Sequence, residues 1–338
     1  MSKQRPESGR LLVMGQAGFE AARRDHRGYH GHSFRLRLRL PAEEGGTSVA
    51  WAAELAGSLA APLDHTLVND TLRSADDVSL LEHFSERLEG CGAGAERLTL
   101  FSGPHHGAWT ERNRVRTWLR SRFEAAHQLP NVPEGHPCGR MHGHGFEVIL
   151  ECAGEDLATL RQRWEPLRQQ LDGRCLNDLL DNPTSELLAQ WIWEALADRV
   201  PSLSRVRVHE TERSGCGFDG ARYAIWKDAR FEAATRLRAT SPQEARGLHG
   251  HGYRIRMHLE APLDSVLGWT VDYGDVKAAF APVDARLDHQ RLDRLEGLEE
   301  GTSAALAHWI WGDLEQRLPG LCRLDVHEQE GCGVILRR

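Results

Sequence analysis

The stretch HPCGRMHGHGF, residues 136–146, sets two imidazoles, His142 and His144, two positions apart and places a thiol, Cys138, four residues ahead of them. In an extended strand, residues i and i+2 point to the same face, so one cation can take both rings. Gly143 between them adds no bulk. Two histidines on a wet strand face are the bland reading of the same letters. HGH recurs at His30 and His32 and again at His249 and His251.

The elements that carry these residues repeat three times. GFEAARRDHRGYHGHSFRLRLRL begins at Gly18, RFEAAHQLPNVPEGHPCGRMHGHGFEVILE at Arg122 and RFEAATRLRATSPQEARGLHGHGYRIRMHLE at Arg230. Each runs FEAA, a variable loop, HGH, then an alternating segment. Phe34, Leu36, Leu38 and Leu40 alternate with Arg35, Arg37 and Arg39, the period of a half-buried antiparallel strand. Downstream, LDHTLVND, LDGRCLND and LDHQRLDR line up from Leu63, Leu171 and Leu287. TSELLAQWIWEALADR and TSAALAHWIWGDLEQR begin at Thr184 and Thr302. The first predicts a helix with Leu187, Leu188, Trp191, Ile192 and Leu196 as its apolar stripe, started at Thr184 or Ser185 with Glu186 in its first turn. Hairpins ending in GCG close the second and third units. Each unit therefore reads strand, loop, strand, helix, helix, strand, strand. This predicts an α+β chain of three domains, 1–113, 114–221 and 222–338, closed into a ring.

The chain of 338 residues is long enough for several cores. A formal net charge of -7 and a pI near 6.2 argue against a nucleic-acid partner. Seven scattered cysteines fit reduced thiols. The opening MSKQRPESGRLLVMG lacks the apolar stretch of a secretion signal, and nowhere do 18 apolar residues run together. A cytoplasmic protein with no membrane span is the expectation.

FEAAH, CxxxHGH, LDHxxLN, NPTSE and VHE, in this order, resemble the 6-pyruvoyl-tetrahydropterin synthase and 6-carboxytetrahydropterin synthase family, the tunnelling-fold zinc lyases. The resemblance implies three tandem tunnelling-fold (ββααββ) domains forming a fused pseudo-trimeric barrel, and a homodimer of such rings. It implies one Zn(2+) per chain on His127, His142 and His144, because the first unit has Arg23 and the third Thr235 where His127 aligns. Cys138 aligns with the family's catalytic cysteine, whereas His26 and Ala245 stand there in the other units. The family's Asp-His pair, lent across an interface, survives as Asp64-His65 and Asp288-His289. The middle unit has Asp172 followed by Gly173. Glu210 and Glu328 align with the carboxylate that holds the pterin edge, Ser102 replaces it in the first unit, and Thr184 and Ser185 help build the pocket. WTVDYGDVK is taken as structural around Asp272. The implied reaction converts 7,8-dihydroneopterin triphosphate to 6-carboxytetrahydropterin, a queuosine precursor. Stopping at 6-pyruvoyltetrahydropterin, or binding pterin without turnover, are the alternatives.

Overall fold

The computed structural model describes residues 9–26, 28–42, 48–111, 114–154, 156–238 and 247–338. The first unit contributes β1 (Arg10–Asp25), β2 (Gly28–Pro41), β3 (Arg97–Phe101) and β4 (His106–Glu111). The second contributes β5 (Arg114–His127), β6 (His142–Cys152), β7 (Leu203–Thr211) and β8 (Ser214–Phe218). The third contributes β9 (Tyr223–Thr235), β10 (His249–Glu260), β11 (Leu321–Gln329) and β12 (Cys332–Arg337). Every strand pairs antiparallel with the one before and the one after, and β12 returns to pair with β1. The sheet is a closed barrel, which leaves none of these strands with a free edge. Of the two expected boundaries, residue 113 lies outside the described residues, and residue 221 lies in the turn between β8 and β9.

Among the described residues six helices of 12 residues or more cover the barrel: α1 (Val49–Ala60), α2 (Asp77–Gly90), α3 (Leu157–Leu171), α4 (Ser185–Ala197), α5 (Tyr273–Leu287) and α6 (Ser303–Leu314). The alternation seen in β2 explains the layering. Leu36, Leu38 and Leu40 are buried in one cluster with Ala52, Ala56 and Leu59 of α1 and with Leu80, Leu81 and Phe84 of α2. Each leucine or phenylalanine among them contributes roughly 1.5–3 kcal/mol when fully buried. Arg35, Arg37 and Arg39 therefore point the other way, into the barrel lumen. The second unit repeats the scheme with Leu160, Trp164, Leu188 and Ile192 packed on Phe146, Val148 and Leu150. On α4 the buried stripe is Leu188, Ala189, Ile192 and Leu196, whereas Leu187 and Trp191 are only half-buried. Thr184 caps that helix, its side chain accepting from the Leu187 amide.

Candidate active site

The three histidines meet because of strand register. His127 ends β5 and lies directly opposite His142, the first residue of β6, while Ala125 lies opposite His144. The His127 and His142 rings are 4.5 Å apart, His142 and His144 4.9 Å. Glu210 of β7 joins them, 3.6 Å from His127 Nε2 and 3.4 Å from His144 Nε2. One ligand atom from each of these four residues lies within 4.8 Å of all the others. His127 is buried, with Nδ1 on the Pro183 carbonyl, and His142 Nδ1 meets the Arg140 carbonyl. Those carbonyls fix the tautomer and turn the Nε2 lone pairs inward, as metal-binding histidines require. Among the described residues the buried Nε2 atoms of His127 and His144 make no hydrogen bond of good geometry, and the Glu210 carboxylate lies beside them. Burial lowers the His127 pKa, which keeps the ring neutral and able to ligate. Burial alone would raise Glu210, but His144 and then His127 hold its carboxyl below the usual range. The donor set fits a divalent cation held by nitrogen and oxygen.

Cys138 sits in a short turn, Pro137–Gly139, and borders the same space. A cavity of about 200 Å³ is lined by Cys138, His136, His142, His144, Thr184, Ser185, Glu186 and Glu210 from the middle unit and by Trp269, Asp272 and Tyr273 from the third. The site thus lies on the boundary between two units. The segment before α5 forms the second wall through several bonds. Asn182 Nδ2 donates to Leu267 O, Thr184 Oγ1 to Gly268 O, and Ser185 Oγ bonds with Tyr273 Oη. Burial pushes the Cys138 thiol up, and the charges of Glu210 and Asp272 add to that.

Three cavity residues carry more than their sequence context suggested. Glu186, expected only as a favourable charge in the first turn of α4, is buried; it accepts from the Thr270 amide and hydroxyl and from Ser185. Burial raises its pKa. Asp272 caps α5 by accepting from the Gly274 amide, and its second oxygen lies 3.1 Å from His136 Nε2. WTVDYGDVK marked Asp272 as structural, but nothing marked His136 or its pairing with Asp272, which depends on how two units pack.

The other expected residues lie elsewhere. His65 and His289 are each 78% exposed, held against Asp64 and Asp288 of their own pairs, and neither lines the Cys138 cavity. Both adopt φ of 56°. Glu328 accepts from Ser303 within the third unit. Thr235, in the place of a metal ligand, donates to the Gly301 carbonyl. Arg23, in the same place of the first unit, donates from Nε to His32 and from Nη1 to the buried Asp77 at 2.8 Å. Its guanidinium occupies the space where the middle unit would hold a cation. Ala245 lies outside the described residues.

The sequence model of the family described as 6-pyruvoyl tetrahydropterin synthase matches residues 116–221 and again 224–338. The chain belongs to that family. Relatives of this synthase family include the 6-carboxy-5,6,7,8-tetrahydropterin synthase of Synechocystis, 37% identical over 112 residues, which span 31% of this chain and 86% of that protein. The dihydroneopterin monophosphate aldolase of Pyrococcus furiosus is 30% identical over 112 residues, 30% of this chain and 95% of that protein. The solved 6-pyruvoyl tetrahydropterin synthase of Caenorhabditis elegans is 21% identical, with 33% of this chain and 92% of that one superposed at a TM-score of 0.31. Each relative has the length of one unit, so this synthase-family chain is a fusion of units. It is a pterin-processing lyase by kinship. No helix among its described residues is long and apolar enough to cross a membrane.

Proposed function

We propose that the chain is a zinc-dependent lyase that converts 7,8-dihydroneopterin triphosphate to 6-carboxytetrahydropterin in the cytoplasm. The observation that carries this reading is the grouping of His127, His142, His144 and Glu210, three of which line, with Cys138, one cavity at the boundary of the second and third units. His127, His142 and His144 would hold the zinc, one per chain, with Glu210 beside them. Bound zinc supplies Lewis-acid polarisation of the substrate's side-chain hydroxyls. Cys138 is the group that moves a proton between the side chain and the ring. The pterin's amino and ring N–H edge needs a carboxylate that accepts two parallel hydrogen bonds. Glu210 and Glu186 are the glutamates in the cavity, beside Asp272, and Thr184 and Ser185 hold the wall that positions them. The 2-amino edge of a pterin in the third unit would meet Glu328 instead. The exposed Asp64-His65 and Asp288-His289 couples are the ones a second ring could bring to the cavity of the first, in a homodimer.

The test is elemental analysis followed by mass spectrometry of the products from dihydroneopterin triphosphate. Zinc near one per chain, release of triphosphate and acetaldehyde, and loss of turnover in Cys138→Ala are expected. A 6-pyruvoyl product would move the chain to the other activity of its family. Metal-loaded protein that binds pterin but never turns it over would sink the enzyme reading.

A further inference from the structure

The first unit's counterpart of the catalytic cavity is a cleft of about 1160 Å³. The first unit lines it with Arg23, His30 and His32, and the second unit adds Gly154, Asp156 and Arg161. Asp156 caps α3 there as Asp272 caps α5 beside Cys138. The donors that could take a cation are already committed. His32 accepts from Arg23 at Nε2, and its Nδ1–H donates to the Ser102 carbonyl at 2.6 Å. His30 Nδ1 lies 3.2 Å from the Gly28 carbonyl, and its Nε2 lies 3.7 Å from Asp25. Ser102 stands where the middle unit has Glu210, and its hydroxyl donates to Asp77.

Positive charge takes the place of those donors. Arg23 is only 8% exposed. Its Nε and Nη1 donate to His32, Asp77 and the Ala75 carbonyl, and no hydrogen bond among the described residues uses Nη2. That nitrogen keeps two N–H groups for a ligand. Arg73, in the segment leading into α2, and Arg161, in the second turn of α3, are exposed. Neither pairs with an acid among the described residues, and both line the cleft. Four aspartates line it too, as many as its arginines, but their oxygens are engaged. Asp77 holds Arg23 and Ser102, Asp25 faces His30, and Asp76 and Asp156 accept from the Ser79 and Thr159 amides. The N-terminal turns of α2 and α3, helices of 14 and 15 residues, open onto the same space and add their positive ends. These groups come from β1, α3 and the approach to α2. A tetrahedral phosphoryl group, with oxygens pointing several ways, suits them better than the two coplanar oxygens of a carboxylate.

We infer that the cleft between the first and second units is a binding site for a phosphorylated ligand, with Arg23, Arg73 and Arg161 holding the oxyanion. The substitution of Arg23 for a metal-binding histidine thus converts a cation site into an anion site. This site is separate from the Cys138 cavity, and it stands whether or not the chain turns over pterin.

The experiment is titration calorimetry of the full chain with inorganic triphosphate, and separately with orthophosphate, at low ionic strength where screening is weak. Arg73→Gln and Arg161→Gln should each weaken binding by about tenfold. Their unfolding temperatures should match the parent's, because both side chains are exposed. Two control variants should keep the parent's affinity: His142→Ala, which removes a metal donor from the middle unit, and Arg39→Gln in the barrel lumen. The two probes distinguish a chain of phosphoryl groups from a single one, and binding of either with the Arg73 and Arg161 dependence supports the site. Absence of binding by both overturns the inference, as does an affinity that ignores Arg73→Gln and Arg161→Gln. An affinity that falls in His142→Ala would put the anion on the middle unit's metal, and one that falls in Arg39→Gln would put it in the lumen. Either result also overturns the inference.

Discussion

At the residue scale, the first and second units differ by one substitution at the position that decides metal binding. His30 and His32 occupy the places of His142 and His144, and His30 Nδ1 meets the Gly28 carbonyl much as His142 meets that of Arg140. Arg23 then supplies a fixed cation in place of an exchangeable one, because its guanidinium stays protonated. Asp77 neutralises it. Burial would raise that carboxyl, but His106, Arg23 and Ser102 together hold it down to about 2. Arg23→Ala would strand a buried carboxylate and should cost about 3 kcal/mol. Arg23→His should instead complete a three-histidine set, and metal analysis should rise from about one to about two ions per chain. No gain in metal would show that the first unit's cleft cannot hold a cation even with the right donors. The spacing of these histidines was legible in the sequence, since strand alternation alone puts both imidazoles of an HGH on one face. The nearness of Glu210 was not, because it depends on the β6–β7 register. The His136–Asp272 pair, 136 residues apart, depends on the packing of two units and leaves no local signal.

At the scale of elements, the three LD turns show what each unit has kept. Each turn hangs from the same sheet position, with the amides of His65, Gly173 and His289 donating to the carbonyls of Glu20, Glu124 and Glu232. All three residues are left-handed, with φ of 56°, 68° and 56°. Glycine adopts this conformation freely, whereas another L-residue pays roughly 1 kcal/mol. The middle unit has the relaxed residue and two units keep the strained one, with the imidazoles facing solvent. His65→Gly and His289→Gly should each raise the urea midpoint by an amount equal to about 0.5–1 kcal/mol. Unchanged or lowered midpoints would mean that the Asp–His contacts outweigh the backbone cost. The repeated element order was legible because each motif recurs with its periodicity intact. The turn conformation was not, since LDH and LDG carry no periodicity that reports φ.

At the scale of the whole molecule, fusion closes a ring whose lumen gathers arginines. The alternation that puts leucines under the helices puts Arg35, Arg37 and Arg39 inside, and the other units send Arg207, Arg254, Arg256 and Arg323 to the same side of their strands. Register sets like charges directly opposite: Arg39 faces Arg97 across β2–β3, and Arg323 faces Arg337 across β11–β12. Such pairs are destabilising. Several are offset by nearby acids: Asp228 of β9 meets Arg256 of β10, Asp325 meets Arg323 on the same strand, and Glu96, just before β3, meets Arg337 of β12. The buried Nε of Arg39 has no hydrogen-bond partner among the described residues. Burial, followed by the charges of Arg323 and Arg97, holds its pKa well below the ordinary value. The lumen should therefore gain stability as salt screens it. Raising ionic strength from about 0.01 M to about 0.15 M shortens the screening length from about 30 Å to about 8 Å, and the unfolding midpoint should rise. Arg39→Gln should stabilise the ring at low salt by about 1 kcal/mol and flatten the salt dependence. A variant with the parent's slope would place the repulsion at another level of the barrel, where the carboxylates leave a second surplus of positive charge.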